Sequence, residues 1–196
     1  MPSPVKYPFV LPTSASSPRT SPRIVTLAPN LTETVYALGG GPRVVAVGNF
    51  DDWPPEVQAK PRAGGYLDPD LEKITLLNPE LIIVPGQHPK VTEFAKLRGL
   101  KVLNVHMDSF DTIDAGVRAI GEALGAQGPA EELVKRLAGQ REAVRGEAPP
   151  EDRPDASVRA ALPPQRAEGG AVAVVHDRGG RVRRLDAHAP RAVREL

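Results

Sequence analysis

The sequence predicts an α/β fold: a Rossmann-like lobe with a parallel sheet, followed by a long backbone helix. Three observations predict it. Four short Val- and Ile-rich runs recur at residues 24–28, 44–47, 81–84 and 102–105. Helical patterns fill the gaps between them, and one sustained apolar stripe follows the last. The runs lack polar alternation, as expected of strands buried on both faces. Strand and helix in alternation with short links imply parallel strands joined by right-handed crossovers.

Taken in order, residues 1–22 come first, with Pro2, Pro4, Pro8, Pro12, Pro18 and Pro22 among Ser and Thr. Such a stretch buries too little apolar surface to offset chain entropy, so a disordered leader is expected. A secretory signal needs a basic start and an apolar core of about 7–15 residues. The Pro-broken run at residues 7–11 is too short, and no export signal is legible. The folded lobe is then expected over residues 23–108. After the first strand, Asn30 reads as an N-cap with Glu33 completing a capping box, ahead of Leu31, Val35 and Leu38. Asp68 and Pro69 read as N-cap and first helical residue before Leu71, Ile74 and Leu77. Pro89 opens a third helix through Val91, Phe94 and Leu97, closed by Gly99.

Residues 108–111 form a strong helix start. Ile113, Val117, Ile120 and Leu124 then lie on one stripe. Gly125 and Gly128 interrupt it, Pro129 restarts it, and Leu133, Leu137 and Val144 continue it. A long, once-broken connecting helix is expected over residues 109–146. Residues 147–196 differ in composition. From residue 148 onward they hold 9 of the 18 Arg, none of the 7 Lys, and no Ile, Phe, Tyr or Trp. Only residues 171–175 resemble a strand, and a segment so poor in large apolar side chains is not expected to form its own core.

Composition excludes several functions. The formal charge of +1 argues against binding nucleic acid by phosphate neutralisation. The absence of Cys removes disulfides, Cys-ligated zinc, a thiol nucleophile and an N-terminal lipid-modified Cys. Apolar runs of about five residues are far short of a bilayer span. No Ser lies in a nucleophile elbow. Gly39, Gly40 and Gly41 follow a helix rather than a strand, so they read as its C-terminus and not as a dinucleotide loop.

In a parallel sheet, ligands meet the loops at the carboxyl ends of the strands. Phe50, Trp53 and Tyr66, three of only eight aromatic residues, fall between the second strand and the Asp68 helix. There they suit a planar or apolar ligand surface, or ordinary packing over the end of the sheet. His88 and His106 each follow a strand end and are candidates for the same cleft. Their spacing matches no metal motif, which favours hydrogen-bonded surface histidines. Asp51 and Asp52 are a candidate acid–base pair, but adjacent side chains diverge, and a turn-capping role fits better.

Several motifs stand together: Arg-Ile-Val-Thr-Leu-Ala-Pro-Asn-Leu-Thr-Glu at residues 23–33, Val-Ala-Val-Gly-Asn-Phe-Asp-Asp-Trp-Pro-Pro at 45–55, Leu-Glu-Lys-Ile at 71–74 and Asn-Pro-Glu-Leu-Ile-Ile at 78–83. With this order and spacing, residues 23–146 resemble the periplasmic substrate-binding proteins of vitamin B12 and iron-siderophore ABC importers, the B12-binding branch most of all. The resemblance implies two α/β lobes on one long helix, with the ligand clamped between them. It implies no catalysis, no cofactor of the protein's own, and a cobalamin or iron-siderophore as transported ligand. Its partners would be that ligand and an importer permease, with no nucleic acid, no membrane insertion and a monomeric state. It places the protein in the periplasm or on the cell surface, although the unread export signal leaves a cytoplasmic branch open.

By the same resemblance, Phe50 takes the position of a ligand-contacting aromatic that is commonly Tyr, so a hydroxyl contact is lost. Tyr66 falls where a stacking Trp can occur. Asn30 and Thr32, at the start of the first helix, would offer amide donors to the ligand. Glu72 matches an exposed glutamate that pairs with Arg on the permease, though a first-turn acid also favours the helix dipole. A missing or degenerate second lobe is expected, because residues 147–196 are short and atypical in composition, as a truncated or out-of-frame segment would be. A connector of about 36 residues would form a strut about 50 Å long. Two alternatives stand beside this reading: a small Rossmann-like metal-dependent enzyme using His88, His106 and the Asp51–Asp52 pair, and a module whose basic tail docks a partner.

Overall fold

The computed structural model describes residues 22–147, 173–176 and 182–185. Most of the expected leader and of the 147–196 segment lies outside the described residues. Four strands run parallel: β1 (Ile24–Thr26), β2 (Val44–Ala46), β3 (Leu81–Pro85) and β4 (Lys101–Val105). Their order is β2-β1-β3-β4. Ile24 pairs with Leu81 and Thr26 with Ile83, while β3 and β4 stay in register from Leu81 opposite Lys101 to Pro85 opposite Val105. Both faces are buried, which explains the unbroken apolar runs.

Successive residues serve opposite faces of the sheet. Ile24, Val44, Leu81, Ile83, Leu103 and Val105 pack with α1 (Pro29–Ala37) and α4 (Phe110–Leu124). Val25, Ala46, Ile82, Val84 and Val102 pack with α2 (Leu71–Leu77) and α3 (Pro89–Arg98). Each fully buried Val, Leu or Ile stabilises the fold by about 1.5–3 kcal/mol.

Helix starts differ from the sequence reading at two places. Pro29, not the residue after Asn30, is the first residue of α1; extended Ala28 precedes it, and no side chain caps the helix. The fixed φ of proline already suits that position, so Asn30 falls inside the helix and the expected Asn30–Glu33 box does not form. The cap of α2 is Asp70, whose carboxylate accepts from Lys73 N at 3.0 Å. Asp68 and Pro69 instead close a turn, with Asp70 N donating to Ala63 O at 2.9 Å. His88 caps α3 and left-handed Gly99 ends it, where Pro89 and Gly99 placed it. Ser109 and Thr112 form a reciprocal box at α4.

The long strut is the largest correction. The chain reverses after Gly125, which closes α4 in a left-handed conformation (φ 69°), and α5 (Gln127–Glu147) folds back along α4. Arg118 meets Glu131 at 2.8 Å, and Arg141 grips both Asp114 oxygens at 3.0 and 2.8 Å. In one straight helix, residues 114 and 141 would stand about 40 Å apart. Gly121 makes the close approach possible: a Cβ there would lie 2.4 Å from the Ala130 Cβ. The Arg141 guanidinium also covers the Phe110 ring at 5.1 Å. The break seen at Gly125 is thus a full turn between two helices, and α5 alone spans about 31 Å.

Residues 173–176 and 182–185 bring a second difference. β5 (Ala173–His176) and β6 (Val182–Leu185) join the same sheet, antiparallel, with Val102 opposite His176 and Val105 opposite Ala173. The sheet is therefore mixed, six strands in the order β2-β1-β3-β4-β5-β6. A hairpin needs no core of its own when it can satisfy the open edge of β4. Residues 171–175 signalled β5, whereas the Val-Arg-Arg-Leu of β6 carries no strand signature.

Candidate functional site

β1 lies between β2 and β3, so the chain leaves β1 on one side and returns on the other. α1 covers one face and α2 the opposite one. This reversal falls at the carboxyl ends of β1 and β3, the place where open α/β sheets bind ligands.

Two segments after β2 build an aromatic wall there. Val47 and Arg62 form a parallel bridge, Ala63 N donates to Val47 O at 2.9 Å, and Asn49 N donates to Gly64 O at 2.9 Å. The 47–50 and 62–65 stretches are thereby tied side by side. Phe50 stands over Gly65, 3.8 Å from where a Cβ would sit, and the residue is 79% exposed. Trp53 is 60% exposed and Leu67 87% exposed, with Tyr66 beside it. Phe50, Trp53, Tyr66 and Leu67 thus place exposed apolar surface on the two segments between β2 and α2. Leu67 has no aromatic ring, and its part in this surface was not legible in the sequence.

Gly64 is indispensable to that geometry. Its φ is +90°, and a Cβ would come within 2.5 Å of both Asp68 O and Asp70 N. Neither backbone atom can yield without breaking the turn that carries Tyr66. Gly64→Ala is expected to lower stability by about 2–4 kcal/mol, combining overpacking with a disfavoured backbone region, and urea denaturation checks it.

Beneath the wall lies a buried polar network. The Thr32 hydroxyl donates to the Asp51 carboxylate and accepts from the Thr26 hydroxyl; Gly48 N donates to the same Asp51 oxygen at 3.1 Å. Arg62 donates to Gly48 O at 3.0 Å and to Asp51 O. Thr26, Thr32 and Asp51 are all buried. The Thr32 side chain therefore faces inward and holds the loop, while its N–H donates to Ala28 O at 3.1 Å. Asp51 and exposed Asp52 do diverge, as the turn reading requires.

Burial pushes the Asp51 carboxyl above the usual carboxylate range, while the Thr32 and Gly48 hydrogen bonds and the Arg62 charge pull the other way. The folded state then holds this proton more tightly than the unfolded chain does. Its contribution is most favourable below the unfolded value of about 3.9 and declines as pH rises through the folded value. Asp51→Asn abolishes this titration. Its melting temperature relative to the parent is expected to improve from about pH 4 to pH 7, which calorimetric melts would show.

The two histidines part company. His88 is fully engaged: Nδ1 accepts from Val91 N at 3.3 Å, leaving Nε2 to donate to Tyr66 O at 2.7 Å. Its ring meets Tyr66 edge-on at 5.4 Å between centroids. His88 thus holds Tyr66 through a hydrogen bond and a ring contact, in line with the hydrogen-bonded reading that its spacing favoured. His106, half-buried at the end of β4, lies beside Gly86. Next to it, Met107 Sδ accepts from Nδ2 of exposed Asn30 at 3.6 Å. Glu72 is exposed in the first turn of α2. Among the described residues, no three His, Asp or Glu side chains gather to hold a metal, and no helix is long and apolar enough to cross a membrane.

With this geometry in view, comparison with known proteins is informative. A family model described as periplasmic binding protein matches residues 24–184, a span that takes in every strand from β1 to β5 and most of β6. A vitamin B12-binding protein of Vibrio cholerae is 35% identical over 115 residues, covering 57% of this chain and 41% of its own length. An ABC transporter substrate-binding lipoprotein of Bacillus subtilis is 35% identical over 120 residues, covering 59% and 38%. Among solved structures, the apo periplasmic heme-binding protein of Roseiflexus sp. RS-1 superposes with a TM-score of 0.59 at 30% identity, covering 64% of this chain and 49% of that one. The chain spans about two fifths of the length of these curated relatives.

Proposed function

The chain belongs to the periplasmic binding protein family, and from that premise we propose that it is the solute-binding component of an ABC importer for cobalamin or an iron chelate. The observation that carries this reading is the aromatic wall at the carboxyl edge of the sheet. Phe50, Trp53 and Leu67 keep most of their surface in water, although large apolar side chains gain free energy from burial. A large, flat, partly apolar metal chelate supplies the missing cover. Relatives that bind vitamin B12 and heme support the same ligand class.

In this reading no bond is made or broken in the ligand, and the protein is non-catalytic. The macrocycle lies against Phe50 and Trp53, with Tyr66 held in place by His88. Asn30 and the start of α1 offer polar contacts to its side chains. The described residues line one wall only, so water reaches the other face of the ligand and affinity is modest. Glu72, exposed on α2, is the proposed contact with an arginine of the permease. The protein works outside the cytoplasmic membrane, as a monomer.

Calorimetric titration of the chain with cyanocobalamin, haemin and a ferric hydroxamate is the test. Saturable binding of at least one, weakened about tenfold by Phe50→Ala, is expected. Failure of all three to bind would contradict the proposal.

A further inference from the structure

Phe50 presents a largely exposed ring that stands over Gly65. Its orientation must therefore come from the backbone on either side. That backbone is held with unusual thoroughness. Arg62 binds the carbonyls of Gly48 and Asp51, which bracket Phe50. One Asp51 oxygen collects the Gly48 N–H and the Thr32 hydroxyl, linking the loop to its own start and to α1. The other oxygen, Oδ1, is buried with no hydrogen-bond partner among the described residues and lies 2.9 Å from where a Cβ at Gly48 would stand.

A buried carboxylate with an orphaned oxygen is a costly way to build an ordinary turn. We infer that Asp51 is a positioning residue for ligand recognition: acting with Thr32 and Arg62, it fixes the 48–53 loop so that Phe50 and Trp53 present a preset face. Asp51 touches no ligand. Its contribution is preorganisation, since a loop already in its bound shape loses less conformational freedom on binding. Gly48 follows as a requirement, because any side chain there collides with the carboxylate and with Leu27 backbone.

This inference rests on the importer reading, and two measurements keep their failures apart. The first is hydrogen exchange on the full chain, parent against Asp51→Ala and Asp51→Asn, without ligand. Removing the acceptor in Asp51→Ala should speed exchange of the 48–53 amides about tenfold while β3 and β4 keep parental protection. Asp51→Asn retains a carbonyl acceptor for Thr32 and Gly48 and should restore most of that protection. The second is calorimetry with cyanocobalamin, where Asp51→Ala should weaken binding about tenfold and Asp51→Asn by much less.

Acceleration spread evenly over the sheet, or equal behaviour of the two variants, would reduce Asp51 to a general stability residue and overturn the inference. Unaltered cobalamin affinity with a loosened loop would overturn it as well. Absence of cobalamin binding by the parent chain contradicts the importer reading for that ligand, while the exchange pattern still decides whether Asp51 sets the loop.

Discussion

Replacing Phe50 and Trp53 together by alanine is expected to weaken cyanocobalamin binding by about a hundredfold while leaving the fold intact. Aromatic anchors on a binding surface each contribute more than 1 kcal/mol when truncated, so about tenfold per ring is a conservative figure. The two side chains sit three positions apart on one loop, so their effects need not add fully. Both rings are mostly in water, and exposed substitutions usually change stability by less than about 0.5 kcal/mol. The combination is diagnostic. Lost binding with an unchanged melting temperature marks a recognition surface, whereas a large fall in melting temperature would mark the rings as structural. Calorimetry and circular dichroism on the same preparation separate the two.

Gly121→Leu is expected to destabilise the chain by about 1–3 kcal/mol through overpacking at the α4–α5 crossing. The sign of the effect is what matters. In a single extended helix with Gly121 facing water, the same replacement would stabilise by up to about 1 kcal/mol, because glycine is a poor helix former. In the hairpin, the added Cβ alone lies 2.4 Å from the Ala130 Cβ, and a leucine must push α5 away. The Arg141–Asp114 and Arg118–Glu131 pairs would loosen with it. Thermal melts of parent and variant decide between the two arrangements.

The same contrast shows where the sequence was legible. The four parallel strands and the three helices between them could be read because each carries its own local signal: branched apolar runs for strands, and Pro, Gly or capping residues at helix ends. Pro89 and Gly99 bound α3 where expected because a fixed φ and a left-handed φ are properties of single residues. The α4–α5 reversal is different in kind. Gly125 announces a break but not its angle, which depends on Gly121 meeting Ala130 and on Arg141 reaching Asp114 across 27 residues.

The site divides in the same way. Phe50, Trp53 and Tyr66 could be singled out as candidates because aromatics on a loop after a strand stand out by position alone. The partners of Thr32 and His88 could not be named in the same way, because both lie far away in sequence: Asp51 for one, the Tyr66 carbonyl for the other. Arg62, which holds the Phe50 loop from the neighbouring stretch, was missed for the same reason. Its one clue was an arginine placed shortly before Gly64 and Gly65. β6 was missed because an edge strand borrows its hydrogen bonds from β5 and needs no apolar signature.

Trp53 is the chain's one tryptophan, so its fluorescence reports directly on the proposed wall. Titration with cyanocobalamin, corrected for absorption by the ligand, is the decisive measurement. A saturating quench in the parent chain, with a weaker half-point in Phe50→Ala, is the expected result. A quench that rises linearly with concentration, as it would for free tryptophan in solution, and is indifferent to Phe50, would contradict a ligand seated on these rings.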